Sequence, residues 1–204
     1  MSWKIIETIK ERLDREDGTI YKDPGGRISI ALVYPNTYKP AMSNLGLHTI
    51  YAAINSMDEC VCERVFLPEK VETAEYRSSN TRLLSYESQR PIDEFDIVAF
   101  TLSFEDDYIN VPRILTLADI PVYSKDRAGS HPIVMGGGCG VTLNPEPLAE
   151  LMDLFFIGEA DGGDFKGFIE AYIEAQSKGL GKEELINSFV SKEGIYIPSL
   201  YDVA

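Results

Sequence analysis

The sequence is poor in cations, in histidine and in cysteine, and each scarcity argues against a class of function. Lys and Arg number 19 against 33 Asp and Glu, which gives a formal charge of −14. Nucleic acids and anionic membranes are therefore not expected as partners, because both are bound through clustered cations. Two His and three Cys without a CxxC pair do not predict a zinc site. Cys60, Cys62 and Cys139 are predicted to be small buried apolar residues instead.

Long apolar segments are also missing. No run in the sequence approaches the roughly 18 residues needed to cross a bilayer. The first ten residues mix charged with apolar side chains and lack the uninterrupted apolar centre of a signal peptide. The sequence therefore predicts a cytosolic protein whose 204 residues are enough for one sizeable core.

Five runs are predicted to be strands, and amphipathic segments separate them. The strands are expected at residues 28–33, 61–67, 97–102, 132–135 and 154–157. Most are continuous apolar runs, which is typical of strands covered on both faces. Apolar strands that alternate with helices form right-handed βαβ units. The sequence therefore predicts an α/β fold with a doubly wound, mostly parallel five-stranded sheet and helices on both faces.

Helices are predicted from apolar residues at helical spacing and from capping signals. The first carries the stripe Trp3, Ile5, Ile6, Ile9 and Leu13, and the next is capped by Ser43 or Asn44. Further helices are expected at residues 73–79, 109–118, 145–152, 165–173 and 182–190, with Ser103 and Asn144 as capping residues and a short extended piece at 83–85.

Four loops follow the predicted strands at their carboxyl ends, where open parallel sheets bind ligands. They comprise residues 34–45, 103–110, 136–144 and 158–163. The run GGGCGVTL in the third loop begins like a dinucleotide fingerprint but lacks its third glycine, and the sequence contains no GxxxxGK[ST] phosphate loop. The glycines have two interpretations: they allow a ligand to approach the backbone, or they only allow a tight turn.

Other reactive side chains have simpler explanations than catalysis. Glu105, Asp106 and Asp107 can complement a helix amino terminus, although Mg²⁺ is an alternative ligand for such a cluster. His48 and His131 have no nucleophile near them in sequence and are predicted to be structural or exposed. Ser103 has no recognisable base, so no catalytic residue is predicted.

Five segments carry a family resemblance. They are YPNTYKPAMSNLGLHTIYAAIN, ERVFLPE, FDIVAFTLSFEDDYINV, PIVMGGGCGVTLNPEPLAELMDLFFIGEAD and GIYIPSLYDV. In this order they resemble the N-terminal region of uncharacterised radical S-adenosylmethionine (radical SAM) proteins, which is related to cobalamin-binding domains. The resemblance covers nearly the whole chain. It implies a flavodoxin-like sheet, followed in the full-length Fe–S oxidoreductase-like protein by a barrel that binds a four-iron cluster and S-adenosylmethionine.

The resemblance also divides the chain, and it singles out Ser103 and residues 136–138 among the candidate site residues that the four loops supply. Residues 1–24 are predicted to be an N-terminal helix and turn, 25–178 the cobalamin-binding-type domain, and 179–204 a helix and linker toward the radical SAM domain. The stretch at 195–203 looks extended without a capping element after it, which predicts that the protein continues. The candidate cofactor-binding residues are Pro35, Asn36, Ser43, Asn44, Ser103, Phe104, Glu105, Gly136, Gly137, Gly138, Gly158 and Glu159.

Two functions remain open for this N-terminal region. The first is an accessory domain that holds cobalamin in a groove bordered by these loops. The loop at residues 34–46 contains no histidine, so the DxHxxG cobalt ligand of cobalamin-binding domains is missing. The second is an interaction or scaffold module without a cofactor, in which Tyr38, Met42 or Phe104 fills the groove. Neither makes this chain catalytic by itself, because it lacks the CxxxCxxC triad that a four-iron cluster requires.

Overall fold

The structure, a computed structural model, describes residues 2–158 and 164–201 of the chain. Within them six strands form a single sheet in the order β2-β1-β3-β4-β5-β6. The strands are β1 (Ile28–Tyr34), β2 (Cys60–Phe66), β3 (Ile97–Thr101), β4 (Ile133–Gly137), β5 (Leu154–Phe156) and β6 (Ile195–Tyr196).

The first five strands are parallel, as predicted. Their order 2-1-3-4-5 is that of flavodoxin-like proteins, with the reversal of strand order between β1 and β3. The sixth strand was not predicted. It pairs antiparallel with β5, through Phe155 with Tyr196 and Phe156 with Ile195. Its two residues are too few to produce a recognisable strand pattern in the sequence.

Eight α-helices connect or flank these strands in the described residues. They are α1 (Trp3–Leu13), α2 (Tyr38–Met42), α3 (Leu45–Asn55), α4 (Lys70–Ser78), α5 (Val111–Leu117), α6 (Cys139–Leu143), α7 (Asp164–Ser177) and α8 (Lys182–Asn187). The crossover into β2 and the crossover out of β2 run in opposite directions across the sheet. Right-handed connections therefore place α3 on one face and α4 on the other. No described helix combines the length and the apolar composition needed to cross a membrane.

Two predicted helix starts are wrong. The segment after β3 begins with a 3₁₀ turn, Glu105–Asn110, and only then becomes α5. Asn144 does not cap a following helix; it ends α6 with an extended backbone, and Glu146–Leu148 forms one 3₁₀ turn. In both segments the predicted capping residue makes a tertiary contact instead: Ser103 accepts a hydrogen bond from Asn44, and the carbonyl oxygen of Asn144 accepts one from Tyr108.

The core lies on both faces of the sheet and includes the N-terminal helix. Ile5, Ile9 and Leu13 are buried in the same apolar cluster as the strands. Trp3, which the sequence pattern placed on that stripe, is exposed instead. It lies on a different face of α1 from the buried Ile5, Ile9 and Leu13, because the helix has about 3.6 residues per turn.

A buried cluster of charged residues joins the edge strand β2 to two neighbouring segments. The Nε atom of Arg64 lies 2.7 Å from Oε1 of Glu87, and a terminal guanidinium nitrogen lies 2.7 Å from Oε2 of Glu16. All three side chains are almost completely inaccessible to solvent. Burial raises the pKa of Glu87, and Arg64 opposes that shift. Arg64 thus joins the segment after α1 to the loop that covers β2.

A second buried cluster lies at the amino edge of the sheet. Asp153 accepts hydrogen bonds from the guanidinium of Arg127, at 3.1 and 3.3 Å, and from the backbone N–H of Val134 at 2.8 Å. The ammonium group of Lys182 lies 3.1 Å from the same carboxylate. Through Asp153, this cluster joins the segment between β4 and β5 to Lys182 of α8.

Candidate functional site

Three loops meet at the carboxyl edge of the sheet, as the parallel arrangement requires. They follow β1, β3 and β4, and side-chain hydrogen bonds join them to one another. The prediction that the Tyr-Pro-Asn loop and the glycine turn share one edge is confirmed. This edge contains the point where strand order reverses, which is the usual ligand-binding position in such sheets.

Asn44 bridges the two loops at the reversal point. Its Nδ2 donates to Oγ of Ser103 at 3.2 Å and to the hydroxyl of Tyr34 at 3.3 Å, while its Oδ1 accepts from the backbone N–H of Leu47 at 2.9 Å. Asn44 is therefore the amino-terminal cap of α3, one of the two predicted alternatives. Ser103 does not cap the following turn, contrary to the sequence prediction, because its hydroxyl serves this bridge.

Asn36 and Asp107 form the second contact across the reversal point. Nδ2 of Asn36 donates to Oδ1 of Asp107 at 3.3 Å. Asn110 completes the connection by donating to the carbonyl oxygen of Pro35 at 2.9 Å. Asp107 is only 3% exposed, and its Oδ2 has no hydrogen-bond partner among the described residues. Burial raises the pKa of its carboxyl, although the bond from Asn36 opposes that shift.

The glycine turn at the end of β4 is packed against the protein itself. Gly136 and Gly137 still belong to β4, two residues beyond the predicted strand end. A Cβ on Gly136 would lie 3.0 Å from the ring of Phe155, and a Cβ on Gly138 would lie 2.7 Å from the carbonyl oxygen of Leu102. Gly138 also has φ +106°, a conformation that side chains other than hydrogen disfavour. A side chain at Gly136 or Gly138 would collide with its neighbours, so glycine is needed at these two positions for the close internal packing.

Tyr108 packs beside this turn, next to Gly140. Its ring is 8% exposed, and its hydroxyl donates to the carbonyl oxygen of Asn144 at 2.9 Å. A Cβ on Gly140 would lie 3.3 Å from that hydroxyl and 3.2 Å from the oxygen of Leu102, which already accepts the N–H of Gly140 at 3.0 Å. Leu102 and Tyr108 therefore pack directly against the glycine turn.

The other predicted site residues do not join this cluster. Phe104 and Glu105 point to solvent, so Phe104 does not fill the groove. The hydroxyl of Ser43 faces the carbonyl oxygen of Lys39 within its own short helix. Gly158 lies two residues after β5 and has φ +129°, and no heavy atom lies within 4 Å of a Cβ built on it. Glu159 lies outside the described residues.

Tyr38 and Met42, the other two side chains expected to fill the groove, lie toward β2. The ring of Tyr38 stacks on Tyr86 at 5.7 Å, and the sulfur of Met42 lies 3.5 Å from the guanidinium of Arg64. The large side chain that packs beside the glycine turn is instead Tyr108, which the sequence reasoning did not single out.

The cysteines and histidines do not form a metal or nucleophile site. Cys60 and Cys62 are buried, and burial raises the pKa of the Cys60 thiol to about 11. Cys139 is exposed, contrary to the prediction that it is buried. His48 contacts the carbonyl oxygen of Met42 at 3.0 Å. In residues 2–158 and 164–201, no three His, Cys, Asp or Glu side chains come together in a way that could hold a metal ion.

Four large apolar side chains stand exposed on the same loops. Leu45 is 79% exposed, Phe104 and Ile109 are each 65% exposed, and Leu143 is 83% exposed. We call this surface the rim, defined by the segments 43–46, 103–110 and 138–147. The exposed acids Glu105 and Asp106 belong to the same segments.

The fold and this edge define a flavodoxin-like domain of the doubly wound class. The chain belongs to the family described as radical SAM proteins, N-terminal, which it matches over residues 46–198. This confirms the family that the five quoted segments predict. The chain is also similar to the uncharacterized protein MJ0966 of Methanocaldococcus jannaschii, with 28% identity over 138 residues. The match covers 67% of this chain and 25% of that protein, so the chain spans about a quarter of its relative.

Sequence reasoning missed Leu102, Tyr108 and Asn110, which hold the edge together. All three belong to the segment FTLSFEDDYIN, in which the acids attracted attention as a possible ion site. Tyr108, which follows those acids, was a signal of a tertiary contact, because a tyrosine buries a large ring and its hydroxyl usually has a hydrogen-bond partner when buried. Their partners, Pro35 and Asn144, could not be identified from local spacing.

Proposed function

We propose that this domain is a non-catalytic N-terminal scaffold module of a cytosolic radical SAM protein, and that it does not bind cobalamin. The four-iron cluster and S-adenosylmethionine then belong to a catalytic domain elsewhere in the polypeptide. The family description supports the position of the module, since it places this region at the N-terminus of radical SAM proteins. The scaffold function is the second of the two possibilities that the sequence leaves open.

The packing of the glycine turn is the observation that carries the proposal. A cofactor tail beside the glycines would need the space that Leu102 and Tyr108 already occupy. Removing Tyr108 from that space would break its hydrogen bond to Asn144 and expose a large buried ring. Exposing such a ring costs about 1.5–3 kcal/mol. The turn therefore fits internal packing better than a cofactor.

The ligand chemistry of the same edge gives a second reason. The loop after β1 has no histidine that could bind cobalt, and His48 lies within α3, where its ring contacts the backbone of Met42. The two strand cysteines are buried thiols whose pKa is raised by burial. They are a poor set of ligands for iron, since a cluster is held by thiolates.

One observation favours the alternative that cobalamin is bound. Oδ2 of Asp107 lies at the strand-order reversal, is buried and has no partner among the described residues. An amide group of a corrin ring could donate to this oxygen if the loops after β1 and β3 separated. That separation would break the bonds that Asn44 and Asn110 make across the reversal point.

Retention of cobalamin tests the choice directly. The full-length protein is mixed with hydroxocobalamin or methylcobalamin, passed through a desalting column and examined by visible spectroscopy. A cobalamin-binding domain that contains DxHxxG is treated in parallel as the positive control. We expect a corrin-free protein, because the groove is filled. A stoichiometric base-off spectrum would refute the scaffold proposal.

A pair of variants locates the site if colour is retained. Gly137→Leu places a bulky side chain at the glycine turn, where a Cβ meets only ordinary contacts with Phe156. Gly167→Leu, on α7, is the matched control, because a Cβ there has no neighbour within 4 Å. Loss of colour in the first variant alone would assign the cofactor to the glycine turn.

A further inference from the structure

The exposed apolar side chains of the rim are brought together by the hydrogen bonds between its loops. Asn44 bonds Ser103, and the exposed Leu45 and Phe104 directly follow these two residues on the loops that the bond joins. Tyr108 bonds the carbonyl oxygen of Asn144, and the exposed Ile109 and Leu143 are the chain neighbours of these two residues. Four large apolar side chains, each at least 65% exposed, therefore share one edge of the sheet. Clustered apolar exposure of this kind marks an interaction surface.

The rim is also a rigid surface. Its loops are tied to one another through Asn36, Asn44, Tyr108 and Asn110. A surface whose backbone is already ordered loses little conformational entropy when a partner binds. The side chains of Phe104 and Leu143 are apolar, take no part in these hydrogen bonds and are exposed to solvent.

The charge of the rim indicates the charge that its partner should carry. The segments 43–46, 103–110 and 138–147 contain three exposed acids, Glu105, Asp106 and Glu146, besides the buried Asp107, and no Lys or Arg. Complementary surfaces pair an apolar centre with opposite charge at the margin. The partner should therefore present an apolar patch with Lys or Arg around it.

The size of the patch favours a partner in the same polypeptide. Four exposed large apolar side chains are a small apolar centre for a stable interface between separate chains, to which each side contributes roughly 20–30 residues. A tethered partner needs much less area, because the linker supplies an effective concentration of about a millimolar. The relative from Methanocaldococcus jannaschii has three quarters of its length outside the matched region. A neighbouring domain of that size is available to cover the rim.

We infer that the rim is the surface on which the radical SAM catalytic domain of the same polypeptide docks. This inference rests on the proposed function and names the partner of the scaffold. Leu143 and Phe104 are the central apolar contacts, and basic side chains of the catalytic domain face Glu105 and Asp106.

Cys139 provides a native probe of docking. It is exposed and lies four residues before Leu143 on α6, so the two side chains share a face of that helix. Iodoacetamide labelling of the peptide that contains Cys139 is measured by mass spectrometry in the full-length protein under anaerobic conditions. The Phe104→Glu/Leu143→Glu variant is compared with wild type. We expect labelling to be about tenfold faster in the variant, because docking protects the thiol only while the rim is covered.

The matched control replaces two exposed apolar residues away from the rim, Val71→Glu and Val190→Glu. It should label at the wild-type rate. Equal rates in the rim variant and in wild type would overturn the inference. Hydrogen exchange of the 103–110 peptide in the unmodified protein gives a second readout, and fast exchange there would also overturn it.

Dilution separates a tethered catalytic domain from a second copy of the chain. Protection by a second copy decreases between about 100 and 1 µM protein, whereas intramolecular protection does not. A decrease would overturn the assignment to the catalytic domain. The labelling result does not depend on cobalamin, so a coloured protein would refute the scaffold proposal and still leave the docking test valid.

Discussion

Replacing Gly138 by Ala tests whether the glycine turn serves internal packing. The new Cβ would lie 2.7 Å from the carbonyl oxygen of Leu102 and 3.2 Å from its carbon and nitrogen. That oxygen belongs to the backbone and accepts the N–H of Gly140, so it cannot move without breaking a hydrogen bond. The Leu102 N–H also donates to Gly137 at 2.8 Å, which holds the same residue from its other side.

The magnitude follows from two contributions. A non-glycine residue at φ +106° and ψ 177° is strained by about 1–3 kcal/mol. Overpacking against a fixed backbone adds about 1–3 kcal/mol. We expect Gly138→Ala to lower the free energy of unfolding by about 4 kcal/mol, a large fraction of the 5–15 kcal/mol typical of a domain.

Gly26→Ala is the control for the backbone conformation. Gly26 also has a positive φ, +72°, but no heavy atom lies within 4 Å of a Cβ built there. This variant should lose only about 1–2 kcal/mol. Urea unfolding followed by circular dichroism measures both. A difference between the two variants below about 1 kcal/mol would refute the close packing of Leu102 on the turn.

Three further predictions concern buried charges and thiols. Arg64→Ala should lower the free energy of unfolding by about 3–5 kcal/mol in urea, because it leaves two buried carboxylates without a counter-ion. Asp107→Asn should become more stable relative to wild type as the pH rises from about 4 to 7. The reason is that the raised pKa of Asp107 makes its contribution to stability largest when it is protonated, and that contribution is lost as the carboxyl ionises. Cys60 and Cys62 should resist iodoacetamide in the native chain and react in urea, because both are buried and their pKa values are raised.

Each of these predictions has a result that contradicts it. For the arginine, a change below about 1 kcal/mol would mean that the cluster is hydrated rather than buried. For Asp107, the control is Asp106→Asn, an exposed neighbour, and an equal pH dependence in both variants would argue against burial of Asp107. For the thiols, rapid native labelling of all three cysteines would show that β2 is accessible.

Much of the fold could be predicted because it depends on neighbouring residues. The five parallel strands follow from runs of apolar residues such as ISIALV and IVAFT, and the cap of α3 was narrowed to Ser43 or Asn44, of which the structure uses Asn44. The carboxyl-edge loops follow in turn, since parallel strands place their trailing segments at one edge. The sequence predicted an extended stretch at residues 195–203, but it could not predict that Ile195 and Tyr196 pair with β5, because that pairing depends on the tertiary structure.

The sequence by itself determined the α/β class, the parallel strands, the family and the edge of the sheet where the loops meet. Only the tertiary structure decided what occupies that edge. Asp107 accepts a hydrogen bond from Asn36, which is 71 residues away in the chain, and Tyr108 donates one to Asn144, which is 36 residues away. Leu102 packs on Gly138. Such contacts depend on strand order and register, which place distant residues side by side. Local patterns do not encode them, so the same glycines were compatible with a ligand until their neighbours were known.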